Sequence, residues 1–226
     1  MQMPDANLHP ARSDAERGEI HWYFDFISPF AYLQHELLLR HHPRLHRIHR
    51  PVLLAGLLNH WGTKGPAEIP AKRTISYQHC QWLADKHGIP LKFPPAHPFN
   101  PLPALRLAIA QQCRQDCITD IFRALYAAGA DLSRRADWRR LCRQRGVADG
   151  DELIGQPWVK AQLRDNTEQA AQRGLFGVPT LVIGDRQFWG ADMTDMALEY
   201  LANPDPFNRG EYRRLAGLPV GQARKL

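Results

Sequence analysis

Several common signatures are missing from this chain of 226 residues. There are four cysteines, Cys80, Cys113, Cys117 and Cys142, and none forms a C-x-x-C pair. Nothing else implies secretion, so the expectation is a cytoplasmic protein with reduced thiols. No apolar run approaches the ~20 residues of a membrane span, so no membrane partner is expected. The first eighteen residues, MQMPDANLHPARSDAERG, lack the apolar centre of a signal peptide and read as a flexible tail. Repeats and low-complexity tracts are absent. His41, His42, His46 and His49 straddle a helix end and a strand without a matching set of cysteines or carboxylates, and no metal is expected. Net charge is +6, but no basic run alternates with aromatics as a nucleic-acid surface would require. Small anionic ligands fit the charge as well.

What is present has a clear order. Ile20 to Phe26 is aromatic and β-branched and predicts a buried strand. Ser28 to about His42 predicts a helix with Leu33, Leu37 and Leu38 on its apolar stripe, ended by Pro43. Arg47 to Leu54 predicts a second strand parallel to the first, with Pro51 at an edge or a strand end. From about Ala67 to Arg173 the patterns are helical, including one helix across ELIGQPWVKAQLRDNTEQAAQRG, interrupted by the proline-rich loop IPLKFPPAHPFNPLP. PTLVI and RQFW flank Gly184-Asp185, a two-residue hairpin signal. Asp192 to Ala202 predicts a last helix, and Pro204 begins a loose tail. Trp22, Trp189, Leu53 and Leu54 read as core, and Cys113 and Cys117 as packed neighbours on one helix face. The β-α-β, helical block, β-β-α order predicts an α/β, thioredoxin-like fold with a large all-helical insertion. The division is a tail over 1–18, a discontinuous thioredoxin-like domain over 19–60 and 174–203, a helical insertion over 61–173, and a C-terminal tail over 204–226.

The stretch FDFISPFAYL holds the candidate reactive position. In thioredoxin-like layouts the reactive group follows the first strand at the N-terminus of the next helix. Here that place holds Ser28-Pro29-Phe30-Ala31, which excludes dithiol chemistry. Two readings of Ser28 fit. One is a pure helix cap, since Ser is favoured at the N-cap and Pro at the first helical position. The other is a hydroxyl facing a ligand at the positive end of a helix. Gly177-Val178-Pro179-Thr180 supplies the proline that precedes the third strand in this layout.

FDFISPFAYL, RPVLLAGLL followed by GTKGPAEIPAK, and LFGVPTLVIGDRQFWGAD together resemble the 2-hydroxychromene-2-carboxylate isomerases and the kappa-class glutathione transferases, over roughly residues 19 to 202. The resemblance implies glutathione as cofactor. Ser28 would be the catalytic residue contacting its sulfur. A thiol of ordinary pKa is mostly protonated at neutral pH, and both a helix N-terminus and a donated hydroxyl proton favour the thiolate. By the same resemblance Lys72 would meet the glycine carboxylate, with a surface lysine as the alternative, and Thr63 would hydrogen-bond nearby. Val178, ahead of a cis Pro179, would pair its backbone with the cysteine residue. Asp192, beside Ala191, would bind the γ-glutamyl ammonium; an N-cap of the last helix is the alternative. Phe30, His97, Phe99 and Asn100 would line the pocket of the second substrate, with a plain surface loop as the alternative for the last three. Met193 departs from the family, where arginine often follows the aspartate; a methionine cannot hold a carboxylate.

The implied reaction interconverts a cyclic hemiketal acid and its ring-opened benzylidenepyruvate in the degradation of aromatic compounds. Reversible addition of a thiolate to the conjugated double bond permits rotation, and glutathione is neither consumed nor oxidised. The substrate is then a small aromatic carboxylate and the protein a homodimer. The alternatives are a kappa-like transferase, in which glutathione leaves attached to an electrophile, and a non-catalytic thioredoxin-like binding module.

Overall fold

The computed structural model describes residues 19–222, so the expected tail over 1–18 lies outside the described residues. Strand β1, Ile20–Phe24, is buried along its whole length. It is an inner strand of a four-stranded sheet of order β2-β1-β3-β4, and an inner strand covered on both faces needs an uninterrupted apolar run. Helix α1, Pro29–His41, begins at the Ser-Pro pair with Ser28 as N-cap. Strand β2, Ile48–Pro51, pairs parallel to β1, with Pro51 opposite Phe24. Pro51 is the last residue of an edge strand, where its missing N–H breaks no ladder.

The apolar run after Pro51 does not continue as strand. It turns into helix α2, Leu54–Trp61, which ends at Gly62 with φ +60°. Helix α3, Pro70–His87, opens the insertion. It is followed by α4, Leu102–Ala110, α5, Gln115–Tyr126, and α6, Arg135–Gln144. The helix expected across residues 152–174 is two helices, α7, Gly150–Gly155, and α8, Pro157–Gln172. Pro157 lacks an N–H and fits only the first position of a new helix. Gln112 and Cys113 have φ of 57° and 52°. They reverse the chain between α4 and α5, so Cys113 lies outside the helix and does not share a face with Cys117 as expected.

Strands β3, Thr180–Ile183, and β4, Arg186–Trp189, form the expected hairpin around Gly184-Asp185. β3 runs antiparallel to β1. A short 3-10 turn, Ala191–Met193, precedes α9, Thr194–Ala202. Met193 takes the cap position of α9 without any side-chain cap, so Asp192 is not its N-cap. The segment from Pro204, expected to be loose, instead carries a 3-10 turn, Asp205–Asn208, and α10, Gly210–Ala216. Phe207 is buried between Tyr200 and Tyr212, and its carbonyl accepts from Arg186 at 2.9 Å.

Alternation along β1 divides the core. Ile20, Trp22 and Phe24 face α1 and the insertion in one large apolar cluster that includes Phe26, Phe122 and Tyr126. Tyr23 faces the other way with Val52, Leu57, Ala170 and Val182, beneath α2 and α8. A bidentate pair ties α1 to α5: Arg123 donates to the two carboxylate oxygens of Glu36 at 2.7 and 3.0 Å. Trp22 is core as expected, but Trp189 is 48% exposed.

Candidate functional site

Strand register gathers the site at one end of the sheet. Phe24, at the end of β1, stands opposite Pro51, at the end of β2. Tyr23 stands opposite Thr180, the first residue of β3, and Thr180 opposite Trp189, the last of β4. The segments beyond these residues therefore emerge together. They are Asp25 to Ser28, the start of α2, Gly177 to Pro179, and Gly190 to Asp192. Gly190 N–H donates to the Pro179 carbonyl at 2.8 Å, joining two of them.

Ser28 is buried, and its Oγ accepts the Ala31 N–H at 3.2 Å. That bond uses a lone pair and leaves the hydroxyl proton to be donated elsewhere. Capping the helix and facing a ligand are thus compatible uses of one side chain. The Val178–Pro179 peptide is cis, as is His97–Pro98. Val178 is half-buried. A Cβ on Gly177 would lie 2.5 Å from Trp189 Nε1, so the indole of the edge strand closes over the backbone just ahead of Val178. Phe176 packs on the same indole, centroid to centroid at 4.9 Å.

Ala191 and Asp192 lie in the short turn after β4, Asp192 exposed. A buried amide fixes that turn. Gln34 of α1 accepts from Trp22 Nε1 at 2.7 Å and donates to Thr194 Oγ1 at 2.8 Å and to the Gly190 carbonyl at 3.3 Å. Met193, where family members often place arginine, packs against the core cluster. Thr63 is exposed just past the end of α2, whose Trp61 donates from Nε1 to the Leu175 carbonyl at 2.9 Å. This bond draws the end of α2 toward the loop before Val178. Lys72 sits exposed in the first turn of α3 and makes no ion pair among the described residues.

The remaining expected residues divide. Phe30 is half-buried and meets His79 of α3 edge-on, at 5.6 Å between centroids. Asn100 Oδ1 accepts the Leu102 N–H at 3.1 Å, at the start of α4. His97 lies against the loop that carries Ser28, its Nε2 2.6 Å from the Ile27 carbonyl oxygen. Phe99 packs edge-on to the His97 ring at 5.7 Å.

Sequence reasoning passed over Asp25, which is fully buried three residues before Ser28. Burial pushes its carboxyl up to about 7, against backbone hydrogen bonds from Leu54, Ile27 and Phe26 that pull it down. Its acidic character in the middle of the apolar run FDFIS was the available signal. Gln34, on the inner face of α1, Tyr126, whose hydroxyl donates to the Ile27 carbonyl at 2.9 Å, and Tyr77, whose hydroxyl meets His97 Nδ1 at 2.6 Å, gave none.

A thioredoxin-like sheet with a serine where the reactive cysteine would stand, a cis-proline loop and a helical insertion define the class. The chain belongs to the family described as the DSBA-like thioredoxin domain, whose model matches residues 19–202. Among curated proteins it is similar to glutathione S-transferase kappa 2 of Caenorhabditis elegans, with 28% identity over 83% of this chain and 93% of that one. It is also similar to 2-hydroxychromene-2-carboxylate isomerase of Sphingobium xenophagum, with 29% identity over 80% of this chain and 97% of that one. Among solved structures, a 2-hydroxychromene-2-carboxylate isomerase superposes with a TM-score of 0.71 at 22% identity, covering 84% of this chain and 99% of that chain.

Proposed function

We propose that the protein is a glutathione-dependent isomerase of the 2-hydroxychromene-2-carboxylate type. The observation that carries this is the Ser28 hydroxyl, buried at the N-terminus of α1 with its proton uncommitted to the cap, at the sheet end shared with Val178 and Asp192. The donor set fits a thiol tripeptide: a hydroxyl and a helix N-terminus for the sulfur, the backbone of Val178 ahead of the cis proline, and one acid and one lysine for its charged ends. Bound glutathione supplies a thiolate that adds reversibly to a conjugated double bond and so frees it to rotate. The chain's own part is to hold and orient. Ser28 donates to the sulfur, Val178 aligns the tripeptide backbone, Asp192 takes the γ-glutamyl ammonium, and Lys72, with Thr63 beside it, takes the glycine carboxylate. Phe30 and Phe99 offer aromatic faces to an aromatic carboxylate. The reading extends to a homodimer in a reducing cytoplasm, where the four unpaired cysteines and a thiol cofactor stay reduced.

The test is an assay of 2-hydroxychromene-2-carboxylate and its benzylidenepyruvate isomer with and without glutathione, following the thiol. Isomerisation that requires glutathione and returns all of it is the expected result. Consumption of glutathione into a conjugate would make the protein a transferase, and absence of glutathione binding by calorimetry would leave a binding module.

A further inference from the structure

We propose that His97 is a positioning residue for Ser28, clamping together with Tyr126 the carbonyl of Ile27, the residue before the serine. This rests on the reading of Ser28 as the group that faces the thiolate.

The Ile27 carbonyl receives two donors from the insertion. His97 Nε2 lies 2.6 Å away and Tyr126 Oη 2.9 Å. A carbonyl only accepts, so Nε2 carries the imidazole proton. Nδ1 is then the lone-pair nitrogen, and Tyr77 Oη approaches it at 2.6 Å and donates. The same hydroxyl lies 3.0 Å from the His97 carbonyl. Tyr77 thus selects the tautomer that Ile27 needs. The ring is packed edge-on against Phe93 and Phe99, both at 5.7 Å. Burial lowers the pKa of His97, so the neutral donor–acceptor form is the one present at neutral pH.

The other groups of this turn are held as firmly. The Ile27 N–H donates to Asp25 Oδ1 at 3.0 Å and the Ser28 N–H to the Asp25 carbonyl at 3.1 Å. The peptide joining Ile27 to Ser28 is therefore pinned at its oxygen by the insertion and at its nitrogen by Asp25, the residue just past β1. That peptide sets the direction in which the Ser28 Cα–Cβ bond leaves the chain, and the Ala31 N–H holds the Oγ at the end of it. With both ring nitrogens engaged inside the protein, His97 has none left for a substrate carboxylate. Its part in the pocket is to fix the serine, while its neighbour Phe99 keeps an aromatic face.

A residue that only packs would change the folded fraction. A positioning residue changes the chemistry of each folded molecule. The experiment compares His97→Phe, which keeps a ring and removes both hydrogen bonds, with His97→Gln, whose amide nitrogen reaches the Nε2 position. Calorimetry reads glutathione affinity, and ultraviolet absorbance of the thiolate reads the titration of the bound thiol. In folded His97→Phe the titration should move up by about half to one pH unit, and kcat fall about fivefold to tenfold, with affinity little changed. His97→Gln should restore most of both. A folded His97→Phe protein with wild-type titration and turnover overturns the proposal. If that variant does not fold, the double variant Tyr77→Phe/Tyr126→Phe carries the test, and an unmoved titration there overturns it equally. Ser28→Ala run in parallel separates the two levels. If it shifts the titration and the clamp variants do not, the clamp alone is wrong. If wild type binds no glutathione, or Ser28→Ala shifts nothing, the reading of Ser28 falls and the clamp with it.

Discussion

Asp25 Oδ2 accepts the Leu54 N–H at 2.8 Å, so the carboxyl buried at the end of β1 also holds the first residue of α2. Its other oxygen serves Ile27 in the serine turn. One group thus ties together the starts of two helices that flank the site. Its pKa rises from 3.8 to about 7 on folding, chiefly through burial. An acid with a higher pKa in the folded state takes up a proton on folding between the two values, so its contribution to stability falls as pH rises from about 4 to about 7. Denaturant unfolding of wild type and Asp25→Asn across that window should differ in slope, with wild type losing up to about 4 kcal/mol relative to the variant. Parallel profiles would show that Asp25 titrates normally.

Ser28→Ala separates cap from chemistry. Loss of the cap should cost about 0.5–2 kcal/mol of stability. Loss of the donated proton should raise the pKa of bound glutathione and reduce isomerisation while affinity holds. A variant that is merely less stable, with normal turnover per folded molecule, would return the serine to capping alone.

Lys72→Ala and Asp192→Ala should each weaken glutathione binding by roughly 1.5–3 kcal/mol, as expected for charge-assisted hydrogen bonds. Calorimetric dissociation constants decide it, and wild-type affinity in both would remove the two ends of the tripeptide from the assignment.

Gln34→Leu should destabilise the fold by about 2–4 kcal/mol, because it strands the buried Trp22 indole N–H and releases the Gly190 carbonyl and Thr194. Urea unfolding measures the loss. In the same variant glutathione affinity should fall, since the turn bearing Asp192 loses its anchor; affinity equal to wild type would show that the turn holds itself.

Insulin reduction should be absent, because Ser28 and Ala31 stand where a dithiol would need two cysteines. Turnover at the level of a thioredoxin would mean that another thiol has taken over that chemistry.

The sequence was legible wherever local rules decide. The Ser-Pro pair marked the start of α1, Gly184-Asp185 the hairpin, and Pro51 the end of an edge strand. It misled where two local signals coincide. Val52 to Leu54 is apolar enough to prolong the strand, yet the strand stops at Pro51 and Leu54 begins α2. Around Gln156-Pro157 the apolar periodicity runs on while the proline starts a new helix. Trp189 read as core by composition, but it is the last residue of an edge strand and lies over glycine backbone. Ser28 and the Val178-Pro179 pair stand out by their place in the layout, whereas the roles expected of Val178 and Asp192 came from the family resemblance and from no local rule. Asp25 was in plain view but masked by the run around it. The pairing of His97 and Tyr126 on one carbonyl links residues 70 and 99 positions from Ile27, and no local pattern encodes such a contact.

The closeness of Gly177 to the Trp189 indole makes the two positions one choice. Any side chain at 177 would meet the ring, so alanine or serine there requires the indole to swing aside or to be exchanged for something smaller. A library randomised at both positions should return bulk at 177 or at 189 and hardly ever at both. Mutating either site alone would make the glycine look indispensable and the tryptophan optional, although they constrain each other equally.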